Sequence, residues 1–272
     1  MLYTNANTVN QLYAPLTALN AVMNVYMRVK LHGYIILSSI VITLLFTMTV
    51  TASPLPVFKA EYQADIKGFR VKASRELTTQ TNGQQLILFK ASSMIASLEE
   101  STLFIWENNY LRPIIYSYNQ NVIGKKEHNR IDFDHTQKQI VSQYKDGDTI
   151  TPYSHKLLDK LSYQLQLQQD LRIGKNILDY TIIRKGQTKQ NQFVREGKEI
   201  IKTEFGDLLT VKVKLNRTSN DRQTYIWFAV DWDYMLVRFE QYEKNKKEFV
   251  INLTNATIAN KRITGLTTTN NR

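Results

Sequence analysis

In the stretch Phe58-Lys59-Ala60-Glu61-Tyr62-Gln63-Ala64-Asp65-Ile66 every second side chain is apolar and the ones between are polar or charged. Successive side chains on a strand point to opposite faces, so this segment reads as a strand with one dry and one wet side. Antiparallel sheets tolerate such a wet side. The period of two resumes past Gly68, where Phe69, Val71 and Ala73 alternate with Arg70, Lys72 and Ser74. Asn82-Gly83 supplies a hairpin turn, because both residues accept positive φ. Further strands are predicted over 84–95, 99–107, 110–120, 125–134 and 138–145, with Asn108-Asn109, Gly124 and Asp146-Gly147-Asp148 as punctuation. The pattern returns at 177–184, 190–202, 208–217, 222–230, 234–243 and 247–257. About a dozen strands joined by short turns make the fold class mainly β: a large curved antiparallel sheet or an incomplete barrel.

One segment breaks the period. From Ser154 to Ile173 there is no Gly or Pro, and Leu157, Leu158, Leu161 and Leu165 recur at helical spacing, extended by Leu167 and Leu171. This predicts one long amphipathic helix, with Ser154 as its N-terminal cap and Gly174 as its stop. Two strands, around Thr102–Trp106 and Tyr225–Val230, are apolar on both faces and need cover on both. The helix suits one side of a curved sheet. A second layer or a bound apolar molecule suits the other.

The first 52 residues of the 272-residue chain hold no Asp or Glu, and Arg28 and Lys30 are their only firm charges. The apolar run Tyr34–Met48 follows, closing on Val50-Thr51-Ala52. A basic start, an apolar middle and small residues at the −3 and −1 positions describe a cleaved secretory signal peptide. The alternative is an uncleaved anchor in the inner membrane, although the run is short for the span of about 20 residues a bilayer needs. Residues 1–52 are thus read as an N-terminal extension and signal peptide. Residues 53–259 form a single β-rich domain, and 260–272, rich in Thr and Asn, a flexible tail. The domain stays strongly basic after cleavage, as the whole chain is at +11, so peripheral contact with an anionic membrane is open to it. The absence of Cys excludes disulfides, thiolate metal sites and a Cys nucleophile.

Chemistry-bearing groupings are sparse. His128, Asp132, Asp134 and His135 are the residues from which a metal site would be drawn, but a solvated strand face accounts for them. Neither a metal nor another cofactor is expected. Glu99-Glu100 and Asp231 with Asp233 are the carboxylate pairs. Neighbours so close in sequence do not define the two-sided cleft that glycoside hydrolysis requires. No nucleophile elbow or phosphate-binding glycine loop occurs. The basic and aromatic residues interleaved in 234–249 read as two faces of alternating strands, so no nucleic acid is expected.

Four phrases carry a resemblance. They are Leu111-Arg112-Pro113 followed by Tyr116 and Tyr118; Asp159-Lys160-Leu161-Ser162-Tyr163-Gln164-Leu165 with Asp170-Leu171 and Gly174; Thr203-Glu204-Phe205-Gly206; and Trp227–Tyr234 followed by Val237-Arg238. In this order the chain resembles a bacterial envelope family of unknown function, number three-one-zero-eight, over about residues 56–257. It departs at Leu236, where that pattern has proline. The resemblance implies export to the periplasm and brings no reaction. It marks Arg112, Asp159, Ser162, Tyr163, Asp233 and Arg238 as a structural motif. Asp159 is expected to meet the helix dipole or an arginine such as Arg112 or Arg238. The layout is also similar to that of periplasmic lipoprotein carriers of the LolA/LolB type, whose curved sheet surrounds an apolar cavity.

The leading expectation is therefore a non-catalytic binding protein or carrier for a lipid, an acyl chain or a lipoprotein segment. Trp106, Tyr116, Trp227 and Phe239 are its expected lining, and no catalytic residue is assigned. The alternatives are a scaffolding protein that binds an envelope partner by a sheet edge and a hydrolase of envelope polymers. Cleavage after Ala52 would leave Ser53 as the mature N-terminus. Mass-spectrometric N-terminal analysis of envelope protein checks this, and a terminus at Met1 or Met27 would favour the anchor.

Overall fold

The computed structural model describes residues 54–66, 68–144, 147–154, 156–217 and 221–265. The export segment read in residues 1–52 lies outside the described residues. The first arm of the sheet comprises β1 (Phe58–Ile66), β2 (Phe69–Thr79), β3 (Gln85–Ser92), β4 (Ala96–Glu107), β5 (Tyr110–Val122), β6 (Lys125–Asp134), β7 (Gln139–Tyr144) and β8 (Gly147–Pro152). After the two-residue β9 (Leu157–Leu158) comes the helix α1 (Ser162–Arg172). The second arm comprises β10 (Leu178–Arg184), β11 (Gln187–Thr203), β12 (Gly206–Asn216), β13 (Arg222–Ala229), β14 (Met235–Glu243), β15 (Lys246–Ile258) and β16 (Lys261–Arg262).

All these strands belong to one sheet in the order β8 to β1, then β15 down to β9, with β16 beside β15. Each arm is a meander of hairpins. The seam between them pairs β1 with β15 antiparallel, from Phe58 opposite Ile258 to Ile66 opposite Phe249. The sheet is mainly antiparallel and is not closed into a barrel; β9 alone pairs parallel, on β10.

The alternation that identified β1 is the one that builds the core. Phe58, Ala60, Tyr62 and Ala64 are buried, and Lys59, Glu61 and Asp65 are exposed. On the same inner face stand Leu77 of β2, Ile87 of β3, Phe104 of β4, Leu111 of β5 and Ile131 of β6, each at most 1% exposed. A meander places its turns at two ends. Turns 80–84, 108–109, 135–138 and 230–234 lie at one, the closed end. The turn at Gly68 and turns 93–95, 123–124 and 244–245 lie at the other, the open end.

The helix fills the closed end, resting on β5 and β10. Its apolar side, Leu161, Leu165, Leu167 and Leu171, is buried as expected. It is shorter than the predicted 154–173. Leu157 and Leu158 are buried in β9 instead, Lys156 takes φ 71°, and Ser154 caps nothing in the helix, which begins beyond Asp159. Two adjacent leucines fit a strand shielded on both faces as readily as a helix, so pairing with β10 wins. Gly174 does end the helix. At φ 73° it lets its own N–H reach Leu171 O and the next N–H, of Lys175, reach Asp170 O, at 3.1 and 2.8 Å. This is a Schellman closure.

The helix also buries Gln166, Gln168, Gln169 and Asp170. Gln166 and Gln168 serve the backbone of the closed-end turns. Gln166 accepts from Leu111 N at 2.6 Å and donates to Asn109 O at 3.0 Å. Gln168 donates to Asp233 O at 2.9 Å. Asp170 accepts from the Tyr180 hydroxyl and from Lys175, both at 3.0 Å.

The expected flexible tail is corrected in its first part. Ile263 is 1% exposed, and Gly265 N–H donates to Phe205 O at 2.8 Å, so the chain is docked through residue 265. A side chain at Gly265 would run into the backbone of Gly206, which is why glycine stands there. Truncating the helix side chain that is fully buried, Leu165→Ala, should cost about 2–5 kcal/mol. Urea denaturation checks this, and a loss in the surface range of about 0.5 kcal/mol would place the helix outside the core.

Candidate functional site

Strand parity decides what the inside of the half-barrel contains. On β2 the inward row is Phe69, Val71, Ala73, Arg75 and Leu77; on β4 it is Leu98, Glu100, Thr102 and Phe104. Two charged residues therefore stand at inward positions. A third, Arg217, continues the inward row Val211, Val213, Leu215 past the end of β12.

The leading turn of α1 meets β4 through Asp159. Its Oδ1 accepts from Leu161 N at 2.8 Å, Ser162 N at 2.9 Å and Thr102 Oγ1 at 2.9 Å. Its own N–H donates to Ser162 Oγ at 2.7 Å. These reciprocal bonds form a capping box. Of the expected partners, the dipole and its amides are there and the arginines are not: Arg112 pairs with Glu107 and Arg238 with Glu240. Asp159 is fully buried and its Oδ2 has no partner. Burial pushes its carboxyl above the usual carboxylate range, against the pull of the amides and Thr102.

Beside it, Glu100 is held on both oxygens, by the Tyr116 hydroxyl at 2.6 Å and by Lys160 at 3.0 Å. Burial, then Glu100, pushes the Tyr116 hydroxyl far up. The Lys160 ammonium lies 4.8 Å from the centre of the Tyr118 ring. A cavity of about 200 Å³ opens here between Tyr116, Tyr118 and Tyr144 on one side and Lys160 and Arg184 on the other.

Arg75 is arranged differently. It is 4% exposed, and its Nε and Nη2 have no hydrogen-bond partner. Its guanidinium stands 5.9 Å from the centre of the Phe58 ring. Burial raises the Tyr62 hydroxyl, and the charge of Arg75 and a hydrogen bond from it pull the other way; the hydroxyl itself donates to Leu236 O at 3.0 Å. Glu100 is separated from Arg75 by Phe89 in the cross-strand row. Burial raises the Tyr163 hydroxyl to about 12, an effect that Arg75 and Arg217 partly offset. Arg217 donates to Thr224 Oγ1 at 3.4 Å, and its Nε is also buried without a partner. Burial, then repulsion from Arg222, holds its guanidinium below the usual arginine range. Two cations, three of whose N–H groups lack acceptors, thus flank one tyrosine.

From Arg75 toward the open end the inner face loosens. The inward residues there are Ala64, Val71, Ala73, Ala91 and Leu98, with Phe89, Ile251, Phe239 and Phe249 as the larger side chains. All but Ala64 are partly exposed. Phe239 stacks on Phe249 with centroids 5.9 Å apart and planes 4° from parallel.

The four expected lining residues therefore do not share one cavity. Trp106 is inward at the closed end, donating to Gln85 Oε1 at 2.8 Å. Tyr116 belongs to the Glu100 cluster, and Phe239 lies at the open end. Trp227 is on the outer face: opposite Lys212 in the ladder, it donates to Glu199 and lies 5.3 Å from the Lys212 ammonium and 5.6 Å from the Arg238 guanidinium. Of the structural motif, Asp233 sits at φ 49° in a turn and binds Arg172 at 2.9 Å, and Tyr163 stacks on Phe193. His128, Asp132, Asp134 and His135 do not converge: they bond to Asn119, Arg130, the backbone of 136–137 and Pro113 O. Arg75, Arg217 and the Glu100–Lys160 pair were missed. A charged residue in an otherwise apolar inward row is the signal that finds them.

A curved antiparallel half-barrel around one helix, with charges inside it, defines a β-barrel-like fold. Residues 46–253 match the protein family of unknown function DUF3108, and the chain belongs to that family. No match was found among curated proteins. Among solved structures, the fold is similar to a β-barrel-like protein of the domain of unknown function DUF1849 from Brucella abortus. The TM-score is 0.52 at 8% identity, over 76% of this chain and 99% of that one.

Because burial raises the Asp159 pKa above its unfolded value, the native state holds that proton the more tightly. This contribution is full at low pH and is lost as pH rises from about 4 through the raised value. Asp159→Asn keeps the Oδ1 acceptor and should flatten that slope, equalling or exceeding the parent near neutrality. Asp159→Ala should lose the cap, about 1–2 kcal/mol. Chemical denaturation across this pH range checks both.

Proposed function

We propose that this is an exported, non-catalytic binding protein of the cell envelope whose ligand is an amphiphile with an acidic head. The head is held at Arg75, and the tail lies along the loosened inner face toward Phe239 and Phe249. The observation that carries this reading is the Arg75 guanidinium, buried with Nε and Nη2 unpartnered. A buried cation with no carboxylate paired to it costs several kcal/mol, and a carboxylate or phosphate would match the two unpartnered nitrogens of the guanidinium fork. The inward side chains Ala64, Ala73 and Ala91 are small, and an acyl chain lying along them would contribute about 0.8 kcal/mol per buried CH₂. Glu100 and Asp159, the carboxylates nearest the site, are engaged in an ion pair and a helix cap, which favours binding over acid–base chemistry. Export rests on the signal pattern of the first 52 residues.

Delipidated protein should bind a fluorescent fatty acid saturably. Arg75→Met should weaken that binding about tenfold or more, the equivalent of about 1.4 kcal/mol. The same substitution should raise the stability of the ligand-free protein, since it removes an unpaired buried charge. Arg112→Met, at a half-exposed surface pair, should change neither. No saturable binding by the parent protein would reject the reading and favour a scaffold.

A further inference from the structure

The open end of the sheet carries an unusual set of turn residues. The turn at Gly68 and turns 93–95 and 123–124 belong to three successive hairpins and so are neighbours along the rim. Their tips expose Phe69 by 45%, Met94 by 97%, Ile95 by 40% and Ile123 by 77%. Hairpin tips are ordinarily built from Gly, Asn, Asp and Pro. Ile123 is more unusual still. It adopts φ 48°, a region that a β-branched side chain enters only under strain. Strain of this kind collects at functional positions. The two-residue turn needs positive φ at both 123 and 124, a need that asparagine would meet at 123 with far less strain than isoleucine.

These tips are also held together. Ile123 N–H donates to Ile95 O at 3.0 Å, across two different turns. Ser93 Oγ accepts from Ala96 N at 3.2 Å and fixes the second tip. Met94, Ile95 and Ile123 line a shared concavity of about 440 Å³. Met94, Ile95 and Ile123 therefore form a preformed edge, with Phe69 on the neighbouring hairpin.

Cations flank it. Arg70 follows Phe69, and Lys125 and Lys126 follow Gly124; Lys244 and Lys246 stand on the adjoining turn 244–245. All five are exposed. Asp65, Glu248 and Asp221, whose carbonyl accepts from Lys244 N, are the exposed acids nearby, while Glu127 and Glu243 are paired with Lys185 and Arg222; five cations still outnumber three acids. Apolar tips ringed by net positive charge match the chemistry of an anionic bilayer: acyl chains below, acidic headgroups above.

We propose that the open rim docks on membranes containing acidic phospholipid, with Met94, Ile95, Ile123 and Phe69 inserted between headgroups and Arg70, Lys125, Lys126, Lys244 and Lys246 among the phosphates. The proposal stands whatever the interior holds. If the rim and the interior site both operate, the tail-end of the site faces the bilayer.

Co-sedimentation with vesicles tests it. The full domain should bind vesicles of phosphatidylcholine mixed with phosphatidylglycerol, and bind those of phosphatidylcholine alone about tenfold or more weakly. Added salt should weaken the anionic binding. Met94→Ser with Ile123→Gly should lower it at least about tenfold. Because glycine relieves the φ of Ile123, the doubly substituted protein should be as stable as the parent or more so, which separates lost docking from lost fold. Lys125, Lys126, Lys244 and Lys246 changed to Gln should remove most of the salt dependence. Failure of the parent to bind anionic vesicles at low salt overturns the proposal, as does undiminished binding by the Met94/Ile123 double variant. Fatty-acid binding in vesicle-free solution reads the interior site separately, so either reading fails without the other.

Discussion

The closed end of the half-barrel depends on one exchange: helix side-chain amides satisfy backbone groups that the curved sheet brings inside. A sheet bent round on itself turns the backbone of its closed-end turns toward the core, where unpaired amides cost free energy. Gln166 and Gln168 supply partners to Leu111, Asn109 and Asp233 from a single helix. The same helix seats its leucines in the core and uses Asp159 to cap itself against β4. Its position then determines what remains free inside. It fills one end, and the other is left with small side chains and partly exposed rings.

That division explains how much of the molecule was legible. The strands were read from alternation because each has one face in water. The helix was read from its leucine spacing, and its stop from Gly174. Its start was misplaced because Leu157 and Leu158 satisfy both a helical stripe and a buried strand, and only pairing with β10 separates them. The turn of the chain from 260 to 265 looked frayed because it is polar and short, yet Ile263 anchors it.

The interior was less legible than the frame. Aromatic side chains drew attention as lining, but a ring's face depends on local register. A bulge between Trp227 and Phe228 in the pairing with β14 falls within a run, Ile226 to Ala229, in which every residue is buried. Trp227 lies outside, under Glu199, Lys212 and Arg238. Charge parity was the better guide. Arg75, Glu100 and Arg217 break inward rows that are otherwise apolar or uncharged. Two of the three are arginines with unmatched N–H groups, while Glu100 is neutralised by Lys160 and Tyr116.

The seam between the arms has a consequence for the order of events. Each arm is built from hairpins and can be assembled from contacts close in sequence. The seam joins β1 to β15, strands from opposite ends of the domain, and the Tyr62 hydroxyl bonds across it to Leu236, 174 residues away. Such pairing incurs the chain-closure entropy of nearly the whole domain before any contact offsets it. The last strands therefore act as the clasp. Until β15 is available, β1 and β14 present two unpaired edges, and the packing of the helix on β5 and β10 joins the arms.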